Sequence, residues 1–145
     1  MDNILRLLGL AKKAGKLTLG EEPVGAAARS GACQLMLIAS DAAGNTVRRA
    51  EHFAQYGTIP RLMLPYSKEE LGQITGRTSV ALLAVTEIGF ADAIVQKLAA
   101  SCEGTAYQET AALLAQKADR AKARQTEQRA HEKKRRKGQL KRVNK

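Results

Sequence analysis

The sequence predicts an α/β domain of three layers, a four-stranded sheet with helices on both faces, followed by a basic tail that is helical or disordered. Three observations carry this expectation. From Met1 to Ala100, short apolar runs alternate with segments of helical periodicity, the pattern of a sheet covered by helices. Two of those runs, Leu35-Met36-Leu37-Ile38-Ala39 and Val80 to Val85, are apolar throughout, as in strands buried on both sides. The charge is also divided. Residues 117–145 hold 13 Lys+Arg against three acids, whereas residues 1–116 hold 11 of each sign. The 145-residue chain therefore reads as a nearly neutral body, residues 1–103, carrying a cationic tail, residues 104–145.

Asp2 can cap a first helix over 3–14, in which Ile4, Leu7, Leu8 and Ala11 share one face and which Gly15 stops. Lys16 to Leu19 is a brief strand. Gly20 leads into a second helix from about Glu21 to Ser30, ended by Gly31. After the strand at Leu35–Ala39, the segment Ser40 to Asn45 is a turn and Thr46 to Tyr56 a third helix. Arg61 to Leu64 is the next strand. Ser67-Lys68-Glu69-Glu70 has the form of a capping box, in which the serine oxygen accepts from a first-turn amide and the glutamate reaches back. It opens a short helix ending near Gly76. Val80 to Val85 is the fourth strand, and Gly89 to Ala100 the last helix of the body. Phe53 and Phe90 each fall on an apolar helix face and are expected in the core.

Thr105-Ala106-Tyr107-Gln108 repeats the capping-box form, and no Gly or Pro interrupts the chain from there to Lys137. Leu113, Leu114 and scattered alanines make only a thin apolar stripe. The helix is therefore expected to fray beyond Ala121, with order ending between 121 and 137 and disorder after it. Lys133-Lys134-Arg135-Arg136-Lys137, then Lys141, Arg142 and Lys145, form a polycation that gains free energy by displacing counterions from RNA. The alternative is a solvated tail without a partner. The near-absence of bulky apolar residues argues against a membrane-surface helix.

Several functions are unsupported by the residue inventory. The longest uncharged stretch, Ser30 to Ser40, is far short of the ~18 apolar residues of a spanning helix. Met1-Asp2-Asn3 lacks the basic start of a secretory signal, and Cys33 and Cys102 are isolated thiols. A cytoplasmic location is expected. His52, beside Glu51 in a helix, and His131, in the polar tail, are the only imidazoles. Gly9 to Lys16 misses the phosphate-loop spacing by one residue and has Leu17 where Ser or Thr should bind magnesium. Glu21-Glu22 and Glu69-Glu70 lie at helix starts, where the helix dipole favours acids. No enzyme, metal or cofactor is expected. With no Trp, two Phe and three Tyr, the chain also lacks the aromatic platforms on which single-strand readers stack bases.

A series of spaced motifs covers the first hundred residues: Leu8-Gly9-Leu10-Ala11 with Ala14-Gly15-Lys16; Gly20-Glu21-Glu22; Leu35 to Ala42; Asn45-Thr46; Ile59-Pro60; Glu70-Leu71-Gly72 with Gly76; and Gly89-Phe90-Ala91. In order and spacing the series resembles the ribosomal L-seven-Ae/L-thirty-e superfamily of kink-turn RNA-binding proteins, in its bacterial YlxQ-like branch. The resemblance implies an α-β-α sandwich on a four-stranded mixed sheet. It also implies RNA contact at the Gly20-Glu21-Glu22 turn, at Asp41 in the neighbouring turn, and at Arg77, Thr78 and Ser79 in the Gly76–Val80 loop. Backbone amides at a helix N-terminus donate to phosphate oxygens there. Glu22, Pro23 and Ala26 stand where kink-turn binders typically carry Asn, Glu and Lys.

Lys12, Lys13 and Lys16 add cations at the end of the first helix, where they either contact RNA or offset the helix dipole. The expected function is thus non-enzymatic binding of structured, kink-turn-like RNA by a ribosome- or translation-associated monomer. In that reading the tail, with Lys133, Lys134, Arg135, Arg136 and Lys137, supplies further phosphate contacts. The alternative is a protein-interaction module of the same fold.

Overall fold

The computed structural model describes the backbone of residues 3–143 and the side chains of residues 3–136. The elements follow in the order α1 (Asn3–Lys13), β1 (Leu17–Leu19), α2 (Glu21–Arg29), β2 (Leu35–Ile38), α3 (Gly44–Ala54), β3 (Arg61–Met63), α4 (Lys68–Thr75), β4 (Leu82–Val85), α5 (Ile88–Ser101) and α6 (Thr105–Val143). Asp2, the expected cap of the first helix, lies outside the described residues.

The four strands form one mixed sheet in the order β1-β4-β2-β3, with β4 antiparallel to both neighbours and β2 parallel to β3. Strand alternation divides the core between two layers. Leu35 and Leu37, with Leu17, Leu19, Leu62, Leu83 and Val85, face a layer built by α1, α4 and α5. Met36, Ile38, Leu82 and Ala84 face the other, where Val24, Ala27 and Ala28 of α2 meet Ala50 and Phe53 of α3. The central strands thus bury side chains on both faces, which is why their sequences are apolar without alternation. Each fully buried leucine contributes ~1.5–3 kcal/mol through removal of its surface from water. Cys33 belongs to the second layer, and burial pushes its thiol up to about 11, so it is a neutral core side chain.

Differences from expectation have local causes. The fourth strand starts at Leu82 rather than Val80, because the Val80 N–H donates to the Lys68 carbonyl oxygen (3.0 Å) instead of entering the sheet. The third helix starts at Gly44 and ends at Ala54, so Gly44 and Asn45 of the expected Ser40–Asn45 turn are already helical. Phe90 is half-buried against the first layer rather than fully enclosed. The Ser67 capping box forms as expected, but the one expected at Thr105 does not. Thr105 is itself helical, and Gln108 Nε2 donates to the Ala99 carbonyl oxygen (2.9 Å), an orphan acceptor in the last turn of α5.

The C-terminal segment folds back on α5 before running on. Ala111, Leu114 and Ala118 are buried, Ala111 and Leu114 join the first-layer core, and Gln96 Nε2 donates to the Ala111 carbonyl oxygen (2.9 Å). The Tyr107 hydroxyl reaches the Met63 carbonyl oxygen on the edge strand β3, and burial raises the pKa of that hydroxyl. The expected frayed end past Ala121 is instead continuous helix to Val143, since Ala, Gln, Glu, Lys and Arg all tolerate helix and nothing before Gly138 breaks it. From Lys122 to Arg136 every side chain is exposed, so this part is an arm without a packing partner in the body.

Candidate nucleic-acid interface

Strand directions gather the expected turns at one edge of the sheet. Because β4 is antiparallel to β1 and β2, the ends of β1, β2 and β3 and the start of β4 coincide. Hydrogen bonds stitch this edge together. The Gly20 N–H donates to the Leu82 carbonyl oxygen (3.0 Å), the Ala39 N–H to Ala81 (2.9 Å), and the Ser40 N–H to Tyr66 (2.9 Å). Asp41 Oδ1 accepts from the Lys68 N–H (2.8 Å), so this carboxylate holds the second turn against the start of α4. Gly20, Asp41 and the segment leading from Arg77 to Val80 therefore share one edge.

Three helices begin there, but only α4 is capped by a side chain, Ser67. Gly20 before α2 and Ala43 before α3 offer no side-chain cap, so the Glu21 and Glu22 N–H groups of α2, where Pro23 has none, and the first-turn amides of α3 remain available to an anion. Gly20 adopts φ +93°, a conformation open to glycine and strained for any L side chain. Glu22, Pro23 and Ala26 are exposed beside it.

Glu21 does not face outward with Glu22. Its Oε1 accepts from the Thr46 hydroxyl (3.0 Å) and its Oε2 from Arg49 Nη1 (2.6 Å), a tie between α2 and α3. The Arg49 hydrogen bond, followed by the Thr46 bond, holds the carboxyl below its usual range. One of the two acids at the start of α2 is thereby neutralised by a partner, which lessens repulsion of a phosphate at that helix end.

The loop after α4 is held by a close backbone approach. The Gly76 and Arg77 N–H groups both donate to the Gly72 carbonyl oxygen, with Gly76 in the left-handed conformation. A Cβ on Gly72 would stand 2.6 Å from the Arg77 carbonyl oxygen and 2.8 Å from Thr78 backbone atoms. Glycine at 72 is what lets this loop lie on α4, leaving Arg77, Thr78 and Ser79 exposed.

The remaining expected residues fall elsewhere. Lys16 is at the opposite edge of the sheet, where its carbonyl oxygen accepts from the Thr86 N–H (3.0 Å). Lys12 and Lys13 line a groove between α1 and α4 together with Gly76. Lys133, Lys134, Arg135 and Arg136 are exposed on the arm, whose backbone continues through Lys137; the Lys137 side chain lies outside the described residues. The sequence reading missed the uncapped start of α3 and the Glu21–Arg49 tie. The first has a signal, Ala43 in place of a capping side chain; the second needs two helices brought together and has none.

Among the described residues, no group of three or more His, Cys, Asp or Glu side chains could hold a metal ion, and no helix is long and apolar enough to cross a membrane.

Residues 2–95 match the family described as Ribosomal protein L7Ae/L30e/S12e/Gadd45. Similar curated proteins include the RNA-binding protein YlxQ of Bacillus subtilis (strain 168), 33% identical over 92 residues, covering 63% of this chain and 91% of the relative. Another is the RNA-binding protein YlxQ of Enterococcus faecium, 32% identical over 87 residues, or 60% of this chain and 82% of that one. Among solved structures, a protein with unknown function from Bacillus halodurans C superposes with a TM-score of 0.63 at 27% identity, over 68% of this chain and 99% of the other.

Proposed function

The chain belongs to the ribosomal protein L7Ae/L30e/S12e/Gadd45 family, and from that premise we propose that it is a non-enzymatic RNA-binding protein. The target is a structured, kink-turn-like RNA, met at the edge formed by the Gly20 turn, Asp41 and the Gly76–Val80 loop. The protein works as a cytoplasmic monomer in association with the ribosome or translation. The observation that carries this reading is the meeting, at one sheet edge, of two helix N-termini without side-chain caps and an exposed Arg77-Thr78-Ser79 loop. Amides at those termini donate to phosphate oxygens, Gly20 permits close approach, and the Arg77 guanidinium pairs with phosphate or stacks on a base. The arm adds sequence-independent affinity through Lys133, Lys134, Arg135, Arg136 and Lys137. The names of the YlxQ relatives support the RNA partner.

Amide-resolved NMR of the labelled protein titrated with a kink-turn RNA tests the site. Shifts are expected at Gly20 to Glu22, at Gly44 and Asn45, and from Gly76 to Ser79. Shifts confined to α6 would refute recognition by the body.

A second reading, a protein-interaction module of the same fold, is favoured by one observation. The exposed Glu22, Pro23 and Ala26 lack the donors and the cation that the resemblance implies for kink-turn contacts. A body that ignores RNA but binds a protein at the same edge would establish it.

A further inference from the structure

The outward side of α1 does not follow the pattern of the rest of the body. Ile4, Leu8 and Ala11 point inward and are buried, but Leu10 lies off that face and is 51% exposed. It stands between two hollows. On one side a groove of about 470 Å³ separates α1 from α4, with Leu5, Leu10 and Ile74 among its apolar lining. On the other, Leu7 and Leu10 line a smaller depression of about 200 Å³ that reaches Lys97 of α5. The groove is within the ~300–1,000 Å³ range of built binding sites.

The charge around this apolar ridge has one sign. Arg6, Lys12, Lys13 and Lys97 line the two hollows, no carboxylate does, and none of the four makes an ion pair among the described residues. That contrasts with a body in which acids and bases balance. Unpaired cations beside exposed aliphatic surface complement a ligand that is itself apolar along one stripe and anionic beside it.

We propose that the α1–α4 groove docks an acidic amphipathic helix of a partner protein. Its apolar residues, spaced i, i+3, i+4 and i+7, sit against Leu5, Leu10 and Ile74, and its flanking carboxylates pair with Arg6, Lys12 and Lys13. This goes beyond the RNA reading, whose Gly76–Val80 loop only borders the groove, at Gly76. The groove chemistry favours a peptide over RNA. Its floor is aliphatic with no aromatic ring on which to stack a base, and the Thr75 hydroxyl is already donating to the carbonyl oxygens of Leu71 and Gly72. The chain's own arm carries the same sign as the groove and does not fit it.

The test uses the full chain and two labelled synthetic peptides of identical composition. In one, leucines recur at helical spacing with glutamates flanking them; in the other the order is scrambled. Because the arm attracts any acidic peptide, the scrambled peptide measures that background. The patterned peptide is expected to bind at least tenfold tighter, with amide shifts at Leu5, Leu10 and Ile74. Leu10→Gln, at an exposed position that leaves the core intact, should bring its affinity down to the scrambled value and leave affinity for structured RNA within twofold. Lys12→Glu with Lys13→Glu should reverse the preference toward a patterned peptide flanked by lysines. Equal binding of the two acidic peptides, or no effect of Leu10→Gln, would overturn the proposal. So would an RNA titration that shifts the Leu5, Leu10 and Ile74 amides, since the occupant would then be nucleic acid.

Discussion

At the residue scale, single atoms decide whether the edge holds its shape. Gly72→Ala forces a methyl against the Arg77 and Thr78 backbone, which cannot move away as a flexible side chain can. A loss of ~1–3 kcal/mol in urea unfolding is expected, and affinity for structured RNA should fall with it as the Arg77–Ser79 loop lifts. Glu21 sets a pH dependence of its own. Its carboxyl is held below the usual 4.5, so the contribution of the Arg49–Thr46 tie is present above that value and is lost as pH falls through the folded value. Glu21→Gln should therefore lower the unfolding free energy from urea titration at neutral pH by less than ~1 kcal/mol, the scale of a partly exposed ion pair. The variant and the parent should converge once pH has fallen below the lowered folded value of Glu21. The glycine at 72 was legible as a motif position, but not its reason, which depends on a loop returning over the helix. The Glu21–Arg49 partnership crosses 28 positions of chain and leaves no periodic trace.

At the element scale, the apolar runs of β2 and β4 and the Ser67 capping box were legible because their signals are local: uninterrupted burial and a four-residue cap. The start of β4 was not, because Val80 bonds to Lys68 rather than to a neighbouring strand. The C-terminal helix divides at a place its composition only hints at. Leu114 is fully buried and Ala111 and Ala118 nearly so, whereas Leu113 faces solvent. Leu114→Ala should destabilise the fold by ~2–5 kcal/mol, as core leucines do, in thermal or urea unfolding. Removing residues 122–145 strips no buried side chain among the described residues and should leave the unfolding midpoint nearly unchanged. Truncation at Gly104 removes Ala111, Leu114 and Ala118 and should lower it sharply.

At the scale of the whole molecule, a charge-balanced body presents one ordered edge, and a basic helix projects from it. The partition of charge was plain in the sequence because it is additive, and the shared edge followed only once strand directions were known. Residues 122–145 hold 11 Lys+Arg against two acids, so the arm and the edge can be separated by a cut that spares the core. Counterion release makes the arm's share of affinity depend steeply on salt, while shape recognition by the edge survives as a ratio between RNAs. The decisive measurement is fluorescence anisotropy of the intact chain and of residues 1–121 with a kink-turn RNA and a plain duplex of equal length, across a salt series. The arm's loss should weaken binding to both RNAs alike and flatten the salt slope, with the preference for the kinked RNA retained. A preference that vanishes with the arm, or a slope that does not change without it, would contradict the account.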